Sequence, residues 1–538
     1  MQACVKNLVT FWETNPKLWF TKPGTLDQIL IDQFFYYHYR DLVEQVYRDK
    51  NRDTKYQQEN QFLRILCLDQ ISRHINRHLC RRGESYPLEL YLDQAYEEAR
   101  VCVLPKTMPL GQTLWILLCI RHRNTYDDLT DVVRWIEKNY SRTIHAVDPH
   151  HSFFLKFMRK TFELYEKYPL RLPPVVNDEV DINLAEFNTI LQPTDSKQTL
   201  GSPENVTSVK KIRLEIMKLA RRYKTIIVSL SGGVDSMVIL DCLTRLRIEL
   251  PSLNIIAVHI CYLNREAAKR EAEFLNRWCA SKRIVLVTRT IFEYTREAMN
   301  RELYESKTRE IRFATYQRVI RSLDEPPENV PIVLGHHSGD VRENVITNVL
   351  NGHSMLELGK MKKLSIHHNL LFSRPLLSLD KDHVYRYSNQ FKIPYFLDTT
   401  PSWSCRGVLR NELLPTMYRQ WGEHKVKTNL DHIGKMSEQW NSIIRTHILQ
   451  PFLDKVKYTA RGWSFEIPDF NETVFWFEVW GTMCRRFGDH GIPQPSKKSI
   501  INFTHQLRTK RKMKVVLNKQ ITAIIGKNIS VLVDVSIY

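Results

Sequence analysis

Residues Thr225 to Ile239, TIIVSLSGGVDSMVI, constrain this chain more than any other stretch. An apolar β-branched run (Ile226, Ile227, Val228) leads into Ser231-Gly232-Gly233-Val234-Asp235-Ser236, and a helix-like segment, MVILDCLTRL, follows. Strand, glycine-rich turn and helix start form a layout that cradles phosphate. Two glycines let the backbone approach the oxygens closely, and the helix N-terminus offers unpaired N–H groups and a positive dipole end. The Gly-Lys-Ser/Thr signature of the Walker loop is missing, so the loop is of another type. A purely structural tight turn is the alternative reading.

With 538 residues the chain has room for two to four domains and ample core. Its formal net charge of +19 favours a polyanionic partner, nucleic acid above all, against the plainer reading of solubility. Ten cysteines are scattered with no C-x-x-C pair, which signals neither a zinc ribbon nor a redox couple. Such scatter fits reduced, buried thiols, and a cytoplasmic location is the expectation. No apolar run approaches a membrane span and the N-terminus lacks a secretory pattern, so no membrane contact is expected.

Residues 1–170 carry apolar residues at three and four spacings, as in FLRILCLDQISRHI and TLWILLCIRH, and predict an all-helical domain. The dense aromatics Phe11, Trp12, Trp19, Phe20, Phe34 and Phe35 read as its core. Residues 171–205 are rich in Pro, Ser, Thr and Asn without a sustained period and predict a linker. Residues 206–420 alternate strand and helix, with strands expected at 225–231, 254–260, 283–290 and 331–337. Their near-continuous apolar character predicts a parallel sheet covered on both faces. Residues 421–538 are basic and predict a small α+β module ending in two strands about Gly526-Lys527-Asn528.

Three further segments carry candidate chemistry. PIVLGHHSGDVRENVITNVLNG (331–352) brings His336, His337, Asp340 and Glu343 to a helix start, with the carboxylates three apart on one face. A capped helix with a solvated acidic pair explains them equally well, and adjacent histidines rarely converge on one metal. ESKTREIRFATYQ (305–317) places Arg309 and Arg312 on one helix face, where they clamp phosphate or RNA or merely face solvent. The last pair is SRPLL (373–377) and IPYFLDTTPSWSCRGVLRNELLP (393–415).

SGGVDS is similar to the SGGxDS loop of enzymes that split ATP into AMP and pyrophosphate. Taken in order, SGGVDS, TREIRFATY, HHSGDVREN, RPLL and DTTPSWSCRGVLRNELLP resemble the tRNA(Ile)-lysidine synthase family, whose segments run SGGxDS, an arginine-bearing helix, HHxDDxxET, RPLL and a closing RNxxRxxxLP-type stretch. The resemblance covers about 205–420. It implies an ATP-dependent enzyme that adenylates the C2 oxygen of wobble cytidine 34 in an isoleucine tRNA with a CAU anticodon, and joins free lysine there to make lysidine. It implies that Ser231, Gly232, Gly233, Val234, Asp235, Ser236 and His336 bind ATP, with Asp235 facing a magnesium ion. Asp235, Asp340 and Glu343 would be catalytic, and Arg309, Arg312, Arg406 and Arg410 would contact phosphate or tRNA. Arg508, Lys510, Arg511 and Lys512, in a basic stretch with Phe503 and His505, are expected to track the tRNA backbone. Free lysine is charged at neutral pH, so a carboxylate must accept a proton as attack begins, and Glu343 or Asp340 is the candidate. A homodimer is compatible with these features.

The chain departs from that pattern at identifiable places. Gly339 stands where the family has the first aspartate of its pair, Asn344 replaces the threonine, Gly407 replaces an asparagine, and CYLNRE follows His259 in place of an HVDHG-like stretch. Two other readings therefore stay open: adenylation with a different nucleophile, and a catalytically impaired tRNA-binding protein. In the N-terminal region, FWETNPKLWF, RILCLDQISRHINR and YLDQAYEEA resemble an uncharacterised bacterial helical family of tetratricopeptide-like fold. Asp69, Gln70, Arg73 and Arg77 there serve either intradomain ion pairing or a contact surface.

Overall fold

Strand β1 (Thr225–Ser229) is central to a six-stranded sheet, and its alternating side chains explain why both sheet faces are covered. Ile226 and Val228 enter one apolar cluster with Met237 and Ile239, while Ile227 enters another with Val258, Tyr316 and Val319. β1 pairs in parallel with β2 (Asn254–Cys261) and β4 (Ile332–Val333), and β2 with β3 (Val285–Thr290). β4 pairs in parallel with β6 (Leu370–Ser373), which carries β5 (Leu364–His367) antiparallel on its outer edge, giving the order β3-β2-β1-β4-β6-β5. The computed structural model describes residues 2–15, 24–48, 59–105, 107–140, 148, 150–173, 175, 182–192, 202–263, 267–296, 298–359, 361–397, 404–459, 462–468, 472–486, 492–509, 513–526 and 528–533.

Two sequence expectations are corrected here. The sheet is mixed rather than wholly parallel, because His368 and Asn369 take φ of +51° and +59° and turn β5 tightly onto β6. The strand expected at 331–337 shrinks to Ile332–Val333.

The N-terminal region is all helical, as the periodicity predicts, from Gln2–Thr14 to His151–Tyr165. Trp12, Phe35, Phe154 and Phe157 are buried in one core, and Trp19 and Phe20 lie outside the described residues. Asp69 is buried between Arg73 at 3.0 Å and His122 at 3.2 Å, and Gln70 donates to it. Arg77 pairs at 3.0 Å with Asp32, which is fully buried. These four motif residues therefore serve intradomain pairing.

The helical region docks on the sheet through Phe292, which sits in the helical core against Tyr140 and Phe162. Arg289 on β3 binds Glu166 of the helical region at 2.9 Å and also Glu293. Phe187, Ile190 and Leu191, within the stretch read as a linker, pack into the sheet's own core, and Leu191 bridges to Phe396. The C-terminal module is a five-stranded antiparallel sheet, β7 (Lys457–Thr459), β8 (Gly462–Glu466), β9 (Met513–Val516), β10 (Ile521–Ile525) and β11 (Asn528–Val533), ordered β7-β8-β11-β10-β9. Helices Thr473–Arg486 and Lys497–Arg508 cover it with Trp476, Trp480 and Phe503. Among the described residues no helix is long and apolar enough to cross a membrane.

Removing the cation from a buried ionic group leaves its partners unpaired in a poorly solvated place. Arg289→Ala is expected to lower stability by about 3–5 kcal/mol, read as a lower denaturant midpoint of the full chain. Combined replacement of Arg289, Glu166 and Glu293 by apolar residues should recover most of that loss. An unchanged midpoint for Arg289→Ala would show that the ionic contact does not hold the two regions together.

Candidate active site

The loop after β1 folds back on its own serines. The Ser231 N–H donates to Ser236 Oγ at 3.2 Å, the Ser236 hydroxyl donates to Gly233 O at 3.0 Å, and the Gly233 N–H donates to Ser231 Oγ at 3.3 Å. Gly232 has φ +81°, and a Cβ there would lie 2.0 Å from the Phe396 ring, so only glycine fits. Gly233 then caps helix Val234–Leu246 without any side-chain acceptor. That helix start is left open, with its N–H groups and dipole available to an anion. Val234 and Ser236 are buried beneath it.

Asp235 occupies the first turn of this helix. Its Oδ2 receives Lys381 Nζ at 3.1 Å, whereas its Oδ1 is buried with no hydrogen-bond partner. Lys381 opens helix Lys381–Phe391, just past the RPLL segment. Burial alone would lower the Lys381 ammonium, but Asp235 and then Tyr385 raise it above the ordinary lysine value. Gly335, at the end of the strand that brings in the histidines, allows close approach, since a Cβ there would lie 2.8 Å from Asp235 Cβ.

The second helix start, Ser338–Leu350, is closed. His337 accepts the Gly339 N–H at 3.0 Å on Nδ1, and Asp340 Oδ2 accepts the His337 N–H at 2.9 Å, a reciprocal cap. Arg410 Nε binds Glu343 Oε1 at 2.5 Å, and its Nη2 reaches Glu343 Oε2 at 3.1 Å and Asp340 Oδ1 at 3.4 Å. Asp340 and Glu343 share a face as their spacing predicts, yet they are buried and paired rather than solvated. Arg410 is thus an internal counterion to the acids. Arg406 stands 4.0 Å from Glu343 with its side chain 58% exposed. Burial tends to raise the Asp340 carboxyl, but His337, His336 and Arg410 bring it below the ordinary carboxylate value.

His336 accepts Arg374 Nε at 3.2 Å, and burial lowers its imidazole below the ordinary histidine value. Burial likewise lowers His337, and also His259, whose Nδ1 lies 2.8 Å from Leu230 O at the loop entrance. Tyr316 donates to Ser229 Oγ at 2.7 Å. On the same helix, Arg301–Arg321, Arg309 is exposed and Arg312 half-buried, and neither makes an ion pair among the described residues. Arg508 is exposed on helix Lys497–Arg508, and Lys510, Arg511 and Lys512 lie outside the described residues. Among the described residues no group of three or more His, Cys, Asp or Glu side chains is placed to hold a metal.

Sequence reasoning missed Lys381, Arg374 and Phe396. The charged pair Asp380-Lys381 at a helix start after RPLL was the only signal for the first, since its partner Asp235 is 146 residues away.

Comparison with known proteins agrees with this geometry. Residues 205–417 match the family described as a PP-loop domain. Residues 8–173 match a family described as a bacterial protein of unknown function. The tRNA(Ile)-lysidine synthase of Enterococcus faecalis is 25% identical over 250 residues, 46% of this chain and 51% of the relative. The chain thus spans about half the length of that relative. The tRNA(Ile)-lysidine synthase of Chlamydia abortus is 28% identical over 281 residues, 51% of this chain and 83% of the relative. Among solved structures, a U34-tRNA thiolase from Methanococcus maripaludis with its 4Fe-4S cluster aligns at a TM-score of 0.35 and 16% identity, covering 44% of this chain and 80% of that one.

His259 and His337, both buried, and the half-buried His336 share one sign of acid response. Their folded values lie below the ordinary value of about 6.5, so the unfolded chain takes up protons first as pH falls. Their contribution to stability is complete above about pH 6.5 and declines as pH drops toward the folded values, with Asp340 adding a further loss below about pH 3.9. Lys381, raised, contributes below about pH 10.4 and loses that contribution as pH climbs through its folded value. Denaturant midpoints measured against pH check this, and His259→Asn should flatten the limb below about pH 6.5.

Proposed function

We propose that this chain is an ATP-dependent tRNA-modifying ligase that forms lysidine at the wobble cytidine of an isoleucine tRNA. The observation that carries the reading is the open helix start behind Ser231–Ser236, with Asp235 and Lys381 at its mouth, in a domain whose relatives bear the name tRNA(Ile)-lysidine synthase. In this reading the loop N–H groups and serine hydroxyls hold the phosphates of ATP. Lys381 compensates Asp235 and leans toward the same anion. The cytidine C2 oxygen attacks the α-phosphorus and pyrophosphate leaves. The ε-amine of lysine then attacks C2 and AMP leaves.

Magnesium fits this site in a limited way. Asp235 Oδ1, which accepts no hydrogen bond and lies 3.9 Å from His337 Nε2, would supply one oxygen ligand, and the rest would come from phosphate and water, which is how this cation is commonly held. When bound it would neutralise phosphate charge. Glu343 or Asp340 would take the proton of the lysine ammonium, and either would do so in exchange with Arg410, which binds Glu343 through both oxygens and Asp340 through Oδ1. Arg410 would share Glu343 with the incoming ammonium, and Arg406 beside it is free to meet RNA phosphate. Arg309, Arg312 and Arg508 extend the basic path, and tRNA binding through it would be salt-sensitive.

A second reading keeps adenylation and changes the amine. It is favoured by one observation: a Cβ at Gly339 would lie 2.7 Å from the His337 ring, so the family's aspartate cannot enter without moving that histidine. The experiment incubates the chain with a CAU-anticodon isoleucine tRNA transcript, ATP, magnesium and radiolabelled lysine. Label in the RNA, absent from a cytidine-34 variant and lowered at least about a hundredfold by Asp235→Ala, is expected. No label with tRNA-dependent pyrophosphate release would replace lysine by another amine. Neither label nor pyrophosphate would overturn the enzymatic reading for this tRNA.

A further inference from the structure

Between the helical region and the sheet lies a cavity of about 370 Å³, within the size range of small-molecule sites. Its walls come from helices Tyr126–Asn139 and His151–Tyr165 on one side, and from β3 and helix Arg301–Arg321 on the other. Most of the charges around it are compensated. Arg289 is held by Glu166 and Glu293, Arg171 by Asp127 at 2.9 Å, and Asp131 by Arg100 at 3.1 Å.

Two charges are left over, and they are of opposite sign. Arg318 is 6% exposed; its Nε donates to Tyr168 O at 2.7 Å and its guanidinium lies 3.8 Å over the Tyr165 ring, but Nη2 has no hydrogen-bond acceptor. A buried cationic N–H without an acceptor is costly, and an incoming oxygen anion recovers that loss. Glu137 lines the same cavity, remains accessible, and makes no hydrogen bond or ion pair among the described residues. Arg289 and Arg134 act on this carboxylate through space without bonding to it, so it keeps both oxygens available to a cation. Phe162 and the Tyr165 ring, on which Arg318 lies, also line the cavity.

A cavity that offers one unsatisfied guanidinium N–H, one unpaired carboxylate and an aromatic wall selects a molecule that carries both charges on a small apolar frame. We propose that this interdomain cavity binds a free α-amino acid, with its carboxylate on Arg318 Nη2 and its ammonium on Glu137. The ligand would bridge the helical region and the ATP-binding domain, since the two poles belong to different parts of the chain. The inference does not depend on what the Ser231–Ser236 loop catalyses.

Equilibrium dialysis of the full chain against each radiolabelled amino acid tests it. At least one should bind saturably, one per chain, with dissociation below about 10 mM. On the unaltered protein, the N-acetyl and the methyl-ester forms of that amino acid should each compete at least tenfold less well, because each lacks one charge. Glu137→Gln should weaken binding at least tenfold. The absence of binding by any amino acid would overturn the proposal. So would binding that survives Glu137→Gln, which would place the ligand elsewhere, including at the catalytic loop. Equal competition by acetate would reduce the cavity to a simple anion site and overturn it as well.

Discussion

The open N-terminus of helix Val234–Leu246 is the constraint on which the rest of the site depends. A helix start normally finds acceptors for its free N–H groups in a capping side chain. Here Gly233 supplies none, and the loop's two serines bond to one another and to the loop backbone instead. That end is stable only if its surroundings tolerate a patch of positive potential that awaits an anion. The fold arranges this from several distant places. Leu191 bridges to Phe396, whose ring presses on Gly232, and Gly335 lets the β4 segment pass close to Asp235. Lys381 then compensates the one carboxylate in the first turn.

The contrast with the neighbouring helix start explains how one sheet edge performs two tasks. At Ser338–Leu350 the cap is complete, and the N–H groups have partners in His337 and Asp340. An anion gains little there. What that end presents is a buried acidic pair under Arg410, beside imidazoles that burial keeps neutral near pH 7. The proposed joining of a nucleotide-activated group to an amine rests on this pairing of an open helix end with an acid-bearing one. The helical region packs on this end of the sheet through Cys261, Leu263 and Ala268 at and beyond the end of β2, and on its flank through Phe292, Arg289 and the helix that carries Tyr316 and Arg318.

Much of this was legible in the residues because it is local. The alternation of Ile226, Ile227 and Val228 declares a strand buried on both faces, and the order of glycines and serines after it declares the turn. The spacing of Asp340 and Glu343 fixes their common face. Their partner Arg410 lies 70 and 67 positions away, so periodicity carries no trace of the pairing that buries them. Lys381 was hidden for the same reason. The edge hairpin escaped because His368 and Asn369 take left-handed conformations that glycine usually signals. Residues 182–192 read as linker because their polar composition masks the few apolar side chains, Phe187, Ile190 and Leu191, that pack. For the N-terminal acids and arginines internal pairing was the favoured reading over a contact surface, and the full burial of Asp32 agrees with it.

In the proposed reaction the Ser231–Ser236 loop directs cleavage between the α- and β-phosphates of ATP. The most direct measurement is the fate of ATP labelled at the α-phosphate, incubated with the chain and a pool of transfer RNA and resolved by thin-layer chromatography. The account predicts labelled AMP, released with pyrophosphate and dependent on the RNA. Labelled ADP would contradict it, because it would mean that the open helix end presents the wrong phosphate to the acceptor.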